Sequence, residues 1–155
     1  MDKVLICYFS ATGITKNVSE KIADTIGADL FEIEPVVKYT GADLDWHDKQ
    51  SRSSIEMEDK TSRPSIKNKI GNLGKYSKII IGFPVWWYTA PTIINTFIEE
   101  NNLIDKDIYV FVTSGSSGYE ESFNNLRNAY PNLRFIKGIR FSTDLSSEKI
   151  NNFIS

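Results

Sequence analysis

The residues with the clearest chemistry lie at positions 7–16, Cys-Tyr-Phe-Ser-Ala-Thr-Gly-Ile-Thr-Lys. This stretch closes an apolar run over 4–9 and opens a helical pattern. Between the two stand Ser10, Thr12, Gly13 and Thr15, three hydroxyls and a glycine. A helix N-terminus leaves its first N–H groups unpaired, and those donors with the positive end of the helix dipole attract an anion. Interleaved hydroxyls add donors, and a glycine thins the loop for close approach. The chemistry is that of a phosphate monoester site; the plainer alternative is an ordinary N-cap. No Gly-Lys-Ser/Thr of a triphosphate loop follows, and the dinucleotide fingerprint would need three glycines where only Gly13 stands. Lys16 is the nearest cation in sequence, and inside a helix it reads as a solvated side chain.

The elements that must position this loop fit one domain over 1–155. The chain has 41% hydrophobic and 25% charged residues and a formal net charge of −2. That balance suits a covered sheet and carries no basic footprint for nucleic acid. The single cysteine, Cys7, lies inside the first apolar run, which rules out a disulfide framework and reads as a small buried hydrophobe. No processing signal and no run of the ~20 apolar residues needed for a membrane span is present, so a cytoplasmic protein without membrane insertion is expected.

Along the chain, strands are predicted over 4–9, 29–34, 78–83, 107–112 and 133–141, the last with Gly138 as a bulge. The run over 78–83 is almost wholly apolar, as in a central parallel strand. Helices are predicted after Gly13 with Ile14, Val18, Ile22 and Ile26 as the apolar stripe, over 66–73, and after Pro91 with Ile93, Ile94, Phe97 and Ile98 inward. Two more are expected over 120–129 with Phe123 and Leu126 inward, and behind a Ser146 cap. Residues 36–64 are polar and hard to read. A helix within 44–60 is expected there, anchored by Trp46 and Ile55, with His47 at the surface and a cofactor contact by Trp46 or His47 as the less favoured alternative. Strand and helix thus alternate five times, which predicts a parallel sheet with helices on both faces.

Several stretches resemble the flavodoxins. Ser10-Ala-Thr-Gly-Ile-Thr15 is similar to their phosphate loop, Ser/Thr-x-Thr-Gly-x-Thr. Pro84-Val-Trp-Trp-Tyr-Thr-Ala-Pro91 with Thr96-Phe97-Ile98-Glu99 resembles a signature of one bacterial flavodoxin group, and residues 113–118 resemble its third flavin loop. Residues 29–35 match its second strand, and the resemblance runs over about 4–141 without a match in 40–61. It implies an α/β, doubly wound, five-stranded parallel sheet of order 2-1-3-4-5, in which the loops after strands 1, 3 and 4 converge. It also implies FMN as cofactor.

The residues expected to bind FMN fall in those three loops. The first loop supplies Ser10, Ala11, Thr12, Gly13, Ile14 and Thr15. The second supplies Pro84, Val85, Trp86, Trp87, Tyr88 and Thr89; aromatic faces suit the flat isoalloxazine. One tryptophan is expected in the core and the other, Trp87, on the flavin. The third supplies Thr113, Ser114, Gly115, Ser116, Ser117, Gly118 and Tyr119, donors for the polar flavin edge. Tyr119 resembles the stacking tyrosine of short-chain members. By analogy a peptide within 87–89 lies beside flavin N5. With no clear cation in view, the fixed phosphate charge and the aromatic faces would disfavour an anionic reduced flavin.

The expected function is an electron carrier shuttling between redox partner proteins, a reductase and an acceptor, as a monomer or weak dimer. The alternative is an FMN-dependent NAD(P)H:quinone or nitro reductase on the same fold. A phospho-receiver domain would need acidic residues where this chain has Ser10 and Pro84.

Overall fold

A computed structural model describes residues 3–142 and 145–155. Five parallel strands form one sheet: β1 (Lys3–Tyr8), β2 (Asp29–Glu32), β3 (Tyr76–Pro84), β4 (Asp107–Thr113) and β5 (Arg134–Phe141). Their order is β2-β1-β3-β4-β5, as expected. Five α-helices alternate with them: α1 (Ile14–Ile26), α2 (Arg52–Glu58), α3 (Thr92–Glu100), α4 (Glu120–Ala129) and α5 (Ser147–Ile154). Among the described residues no helix is long and apolar enough to cross a membrane.

The period-2 geometry of a strand sends alternate side chains to opposite faces. On one face Leu5, Cys7, Ile79, Ile81, Val110 and Val112 meet Ile93, Ile94, Phe97 and Ile98 of α3 and Phe123 and Leu126 of α4. On the other, Ile6, Tyr8, Ile80, Tyr109 and Phe111 meet Val18 and Ile22 of α1 and Ile150 and Phe153 of α5. Both faces of the central strands are dry, which is why those strands are almost uninterrupted apolar runs. Cys7 is fully buried, and that burial pushes its thiol well above the usual range, so it packs as a hydrophobe. Ser146 caps α5 by accepting from Lys149 N, as its position suggests.

Three expectations change. Residues 66–73 are not a helix. Ile66 makes an antiparallel bridge to Pro35, and Asn68 donates to Glu32 O at 2.6 Å and accepts from Glu34 N at 3.2 Å. The amide thus satisfies the end of β2, which stops at Glu32, and Ile66, Ile70 and Leu73 pack on the core from an irregular backbone that closes with a 3₁₀ turn at Leu73–Lys75. The bulge of β5 lies at Ile136, where the β4 register passes from Phe135 to Lys137, rather than at Gly138. Gly138 serves closeness instead: a Cβ there would lie 2.6 Å from the Tyr119 ring.

The helix expected within 44–60 is α2, but Trp46 and Ile55 do not anchor it. They are 66% and 54% exposed. The anchor is Tyr39, whose hydroxyl donates to Glu56 while Arg52 bonds the same carboxylate at 2.9 Å and lies 3.7 Å over the tyrosine ring. Burial and the Glu56 hydrogen bond hold the Tyr39 phenol well above its usual range.

Candidate functional site

The first loop is built by Ser10 and Gly13. Ser10 Oγ accepts from Gly13 N at 3.1 Å and from Lys16 N at 3.2 Å, curling the chain into α1. Gly13 takes φ 97°, a left-handed conformation that a side chain would strain, so glycine is required there. The N–H groups of Thr12, Ile14 and Thr15 have no acceptor among the described residues. Thr15 is buried and its hydroxyl pairs with that of Thr113 at 2.8 Å, tying the first loop to the end of β4.

The loop after β3 is a two-residue hairpin. Trp86 N donates to Thr89 O at 2.9 Å and Thr89 N to Trp86 O at 3.0 Å. Its central residues, Trp87 and Tyr88, have φ 48° and 65°. Such a turn demands two left-handed residues and ordinarily uses Asn-Gly. Bulky aromatics there carry strain of about 1–2 kcal/mol per residue. α4 holds the turn from behind: Ser122 Oγ donates to Tyr88 O and Asn125 Nδ2 to Thr89 Oγ1. The two tryptophans differ in burial. Trp86 is half-buried, edge-on to Phe9 at 5.7 Å and to Tyr39 at 5.4 Å, whereas Trp87 is 43% exposed.

The loop after β4 is fixed from β5. The register sets Val112 opposite Arg140, and Arg140 reaches along the strand ends. Its Nε donates to Ser114 Oγ at 3.0 Å, and its Nη2 donates to Ser114 O at 3.0 Å and Gly115 O at 2.8 Å. Ser114 Oγ in turn donates to Ser117 O.

Together the loops shape two adjoining cavities that share Val85 and Trp86. The first, of about 460 Å³, mixes apolar and polar groups: Ala11, Thr12, Ile14 and Thr15 with Pro84, Thr113, Ser114, Gly115 and Arg140, and Phe141 and Ser142 beside them. The second, of about 410 Å³, is aromatic: Trp86, Trp87 and Tyr88 with Ser117, closed by Leu44, Trp46 and Ser53. The pair offers unpaired amides, hydroxyls and a guanidinium at one end and flat apolar faces at the other. That donor set fits a phosphorylated ligand carrying a planar ring system.

Of the residues named from sequence, ten of the first cavity and the Trp87, Tyr88 and Ser117 of the second are brought together. Ser10 and Gly13 shape their loop without lining a cavity. Thr89 faces a separate groove, and Ser116 is exposed. Gly118 packs on the Glu120 side chain, and the Tyr119 ring lies over Gly138 and against Phe123, away from both cavities. The expectation that no cation stands near the phosphate loop is corrected by Arg140. It sits in the last strand, far from the loop in sequence, and only the β4–β5 register brings it there. Trp46, favoured from sequence as a packing anchor, is instead exposed and walls the second cavity. His47 is at the surface as expected, its ring 3.7 Å from that of Trp46. Among the described residues no cluster of His, Cys, Asp and Glu could hold a metal ion.

No curated protein sequence matches the chain. Among solved structures, a proposed flavoprotein from Bacteroides eggerthii is 44% identical with a TM-score of 0.96, covering 99% of this chain and 96% of that one. Another, from Bacteroides uniformis, is 45% identical with a TM-score of 0.93, over 99% and 97% of the two chains. A flavoprotein from Lactobacillus acidophilus, solved in complex with FMN, shares the fold at 23% identity and a TM-score of 0.77 over the full length of both. A family model described as flavodoxin matches residues 3–155. A chain matched over that span belongs to the flavodoxin family.

Proposed function

We propose that this protein binds FMN and carries electrons between redox partner proteins. The observation that carries the reading is the pair of joined cavities, one lined by unpaired amides, hydroxyls and Arg140, the other by Trp86, Trp87 and Tyr88. The phosphate would lie against the first loop and the ring system between the aromatics. FMN supplies the one-electron chemistry; the chain supplies binding, orientation and electrostatics. Thr12 and the amides of Ile14 and Thr15 would hold the phosphate. Trp86, backed by Phe9 and Tyr39, is a firm wall, whereas Trp87 stands on a strained turn and Trp46 on the segment outside the sheet. The lone buried Cys7 suits the cytoplasmic setting that this reading includes.

Trp46 and Leu44 favour a second reading, an FMN-dependent NAD(P)H:quinone or nitro reductase. They close the aromatic cavity from outside and could flank a second flat molecule. A reductase must bring a nicotinamide to near-attack distance, ~3–3.5 Å, over the flavin. The deciding experiment is anaerobic stopped-flow at the flavin absorbance band. For a carrier, NADH or NADPH alone reduces the bound FMN very slowly, and adding a flavoprotein reductase makes reduction rapid. Rapid direct reduction followed by multiple turnovers with a quinone would replace the carrier with the reductase.

A further inference from the structure

We propose that Arg140 is the cation of the phosphate cavity, so that the site selects FMN over riboflavin by charge as well as by neutral hydrogen bonds. The proposal rests on the flavin reading above. Arg140 is the last residue but one of β5, and its guanidinium lines the same cavity as Thr12 and Thr15 of the first loop. Its bonds run to the Ser114 hydroxyl and to the carbonyls of Ser114 and Gly115, none of which carries a charge. Among the described residues no carboxylate makes a salt bridge with it, whereas Arg52, Arg63 and Arg134 are each paired with one. Among the described residues the half-buried guanidinium thus stands without a charged partner, beside a loop already built for an anion. Three of its five N–H groups are used in the bonds to Ser114 and Gly115, which leaves the two of Nη1 for a phosphate oxygen, and pairing with a charged acceptor strengthens such bonds.

The same geometry gives Arg140 a second consequence. By gripping Ser114 and Gly115 it couples the phosphate end of the site to the loop whose Ser117 reaches the aromatic end. An anion drawn to Arg140 thus bears on the loop that borders the ring system.

The test compares FMN with riboflavin in the wild type, Arg140→Gln and Arg140→Lys, by fluorescence titration. Arg140→Gln should weaken FMN about tenfold to a hundredfold, the range for a hydrogen bond to a charged group, and change riboflavin by less than about threefold. Arg140→Lys, which keeps the charge and loses the bonds to Ser114 and Gly115, should recover part of the FMN affinity. Without flavin, millimolar inorganic phosphate should raise the melting temperature of the wild-type apoprotein and leave that of Arg140→Gln unmoved. Salt supplies a further arm. Sodium chloride screens both the α1 N-terminus and a local cation, so the variant is needed to separate them. With Arg140 at the phosphate, FMN affinity should fall more steeply with salt in the wild type than in Arg140→Gln, while riboflavin affinity holds in both. Equal losses of FMN and riboflavin in both variants would make Arg140 a loop strut only and overturn the proposal. So would an FMN affinity that falls with salt equally in the wild type and Arg140→Gln. If the wild type binds neither flavin, the cofactor reading fails by itself, and the phosphate arm still decides the charge at Arg140.

Discussion

The two threonines of the first loop should respond differently to mutation. Thr15 and Thr113 are 2% and 5% exposed, and their hydroxyls meet at 2.8 Å. Thr15→Val keeps the shape of the side chain but leaves the Thr113 hydroxyl buried without its partner. That loss should destabilise the apoprotein by about 1–3 kcal/mol, the desolvation cost of an unsatisfied buried group. Thr113→Val should cost about as much for the same reason. The double variant removes both polar groups together and should cost less than either, because replacing both partners by apolar isosteres is nearly neutral. The predicted coupling is therefore favourable and at least as large as either single loss, about 1–3 kcal/mol. Urea unfolding of the four apoproteins, followed by far-UV circular dichroism, measures it. Thr12 is the control: it is exposed, and Thr12→Ala should leave apoprotein stability within about 0.5 kcal/mol while weakening FMN at least about tenfold and sparing riboflavin. Additive losses in the Thr15/Thr113 cycle would refute the reasoning, because they would mean that water already satisfies each hydroxyl separately.

Trp87→Ala should restore part of the flavin fluorescence quenched in the complex and raise the potential of the second one-electron step, since an electron-rich face is withdrawn from an anion; unchanged emission and potential would shift that role to Trp86 or Trp46. Tyr88→Gly relieves a left-handed tyrosine at φ 65° that is 67% exposed, so little packing is lost. Relief of about 1–2 kcal/mol against a glycine entropy cost of about 0.5–1 kcal/mol predicts a small gain in apoprotein stability in urea, and a clear loss would contradict the strain argument. Burial, reinforced by Glu32, Asp29 and Glu99 respectively, pushes Tyr8, Tyr76 and Tyr130 up to about 12. Folded values raised above the unfolded value of about 10 favour the native state fully below pH ~10. That stability should drain away between about pH 10 and 12, and Tyr130→Phe should flatten this alkaline fall in urea midpoints.

Most of the fold was legible because the apolar pattern repeats the geometry that buries it. α1 and α3 carry their stripes at helical spacing, and β3 and β4 read as dry central strands. Residues 66–73 misled for the same reason. Ile66, Ile70 and Leu73 have helical spacing, and all three do pack on the core. What decides against a helix is Asn68, whose amide is captured by the end of β2, a partner 34–36 residues away that no local pattern announces. The three site loops could be named because small polar residues and clustered aromatics stand out in sequence. Arg140 could not, since a charged residue on an edge strand looks like solvent-facing decoration until the β4–β5 register sets it beside Ser114. Trp46 was visible as an aromatic, but its surroundings are made by residues 36–65, whose course follows the Tyr39, Arg52 and Glu56 cluster rather than any periodicity.

The bridge between Pro35 and Ile66 closes the panel 36–65 at its base, and Arg63 on Glu99 and Tyr39 against Phe9 and Trp86 pin it further. The chain departs just past the end of β2 and comes back against the same residues before it reaches β3, so the strands themselves do not register the length of 36–65. Doubling a closed loop costs only about 0.6 kcal/mol of entropy, so lineages can lengthen, shorten or exchange such a panel without redesigning the sheet. Leu44, Trp46 and Ser53, which wall the aromatic cavity, ride on it, while the phosphate end is built from strand ends, their loops and the first turn of α1. Anchorage of the ligand and the company its ring system keeps are thus separately heritable, and a graft of this panel between related chains would exchange the second while conserving the first.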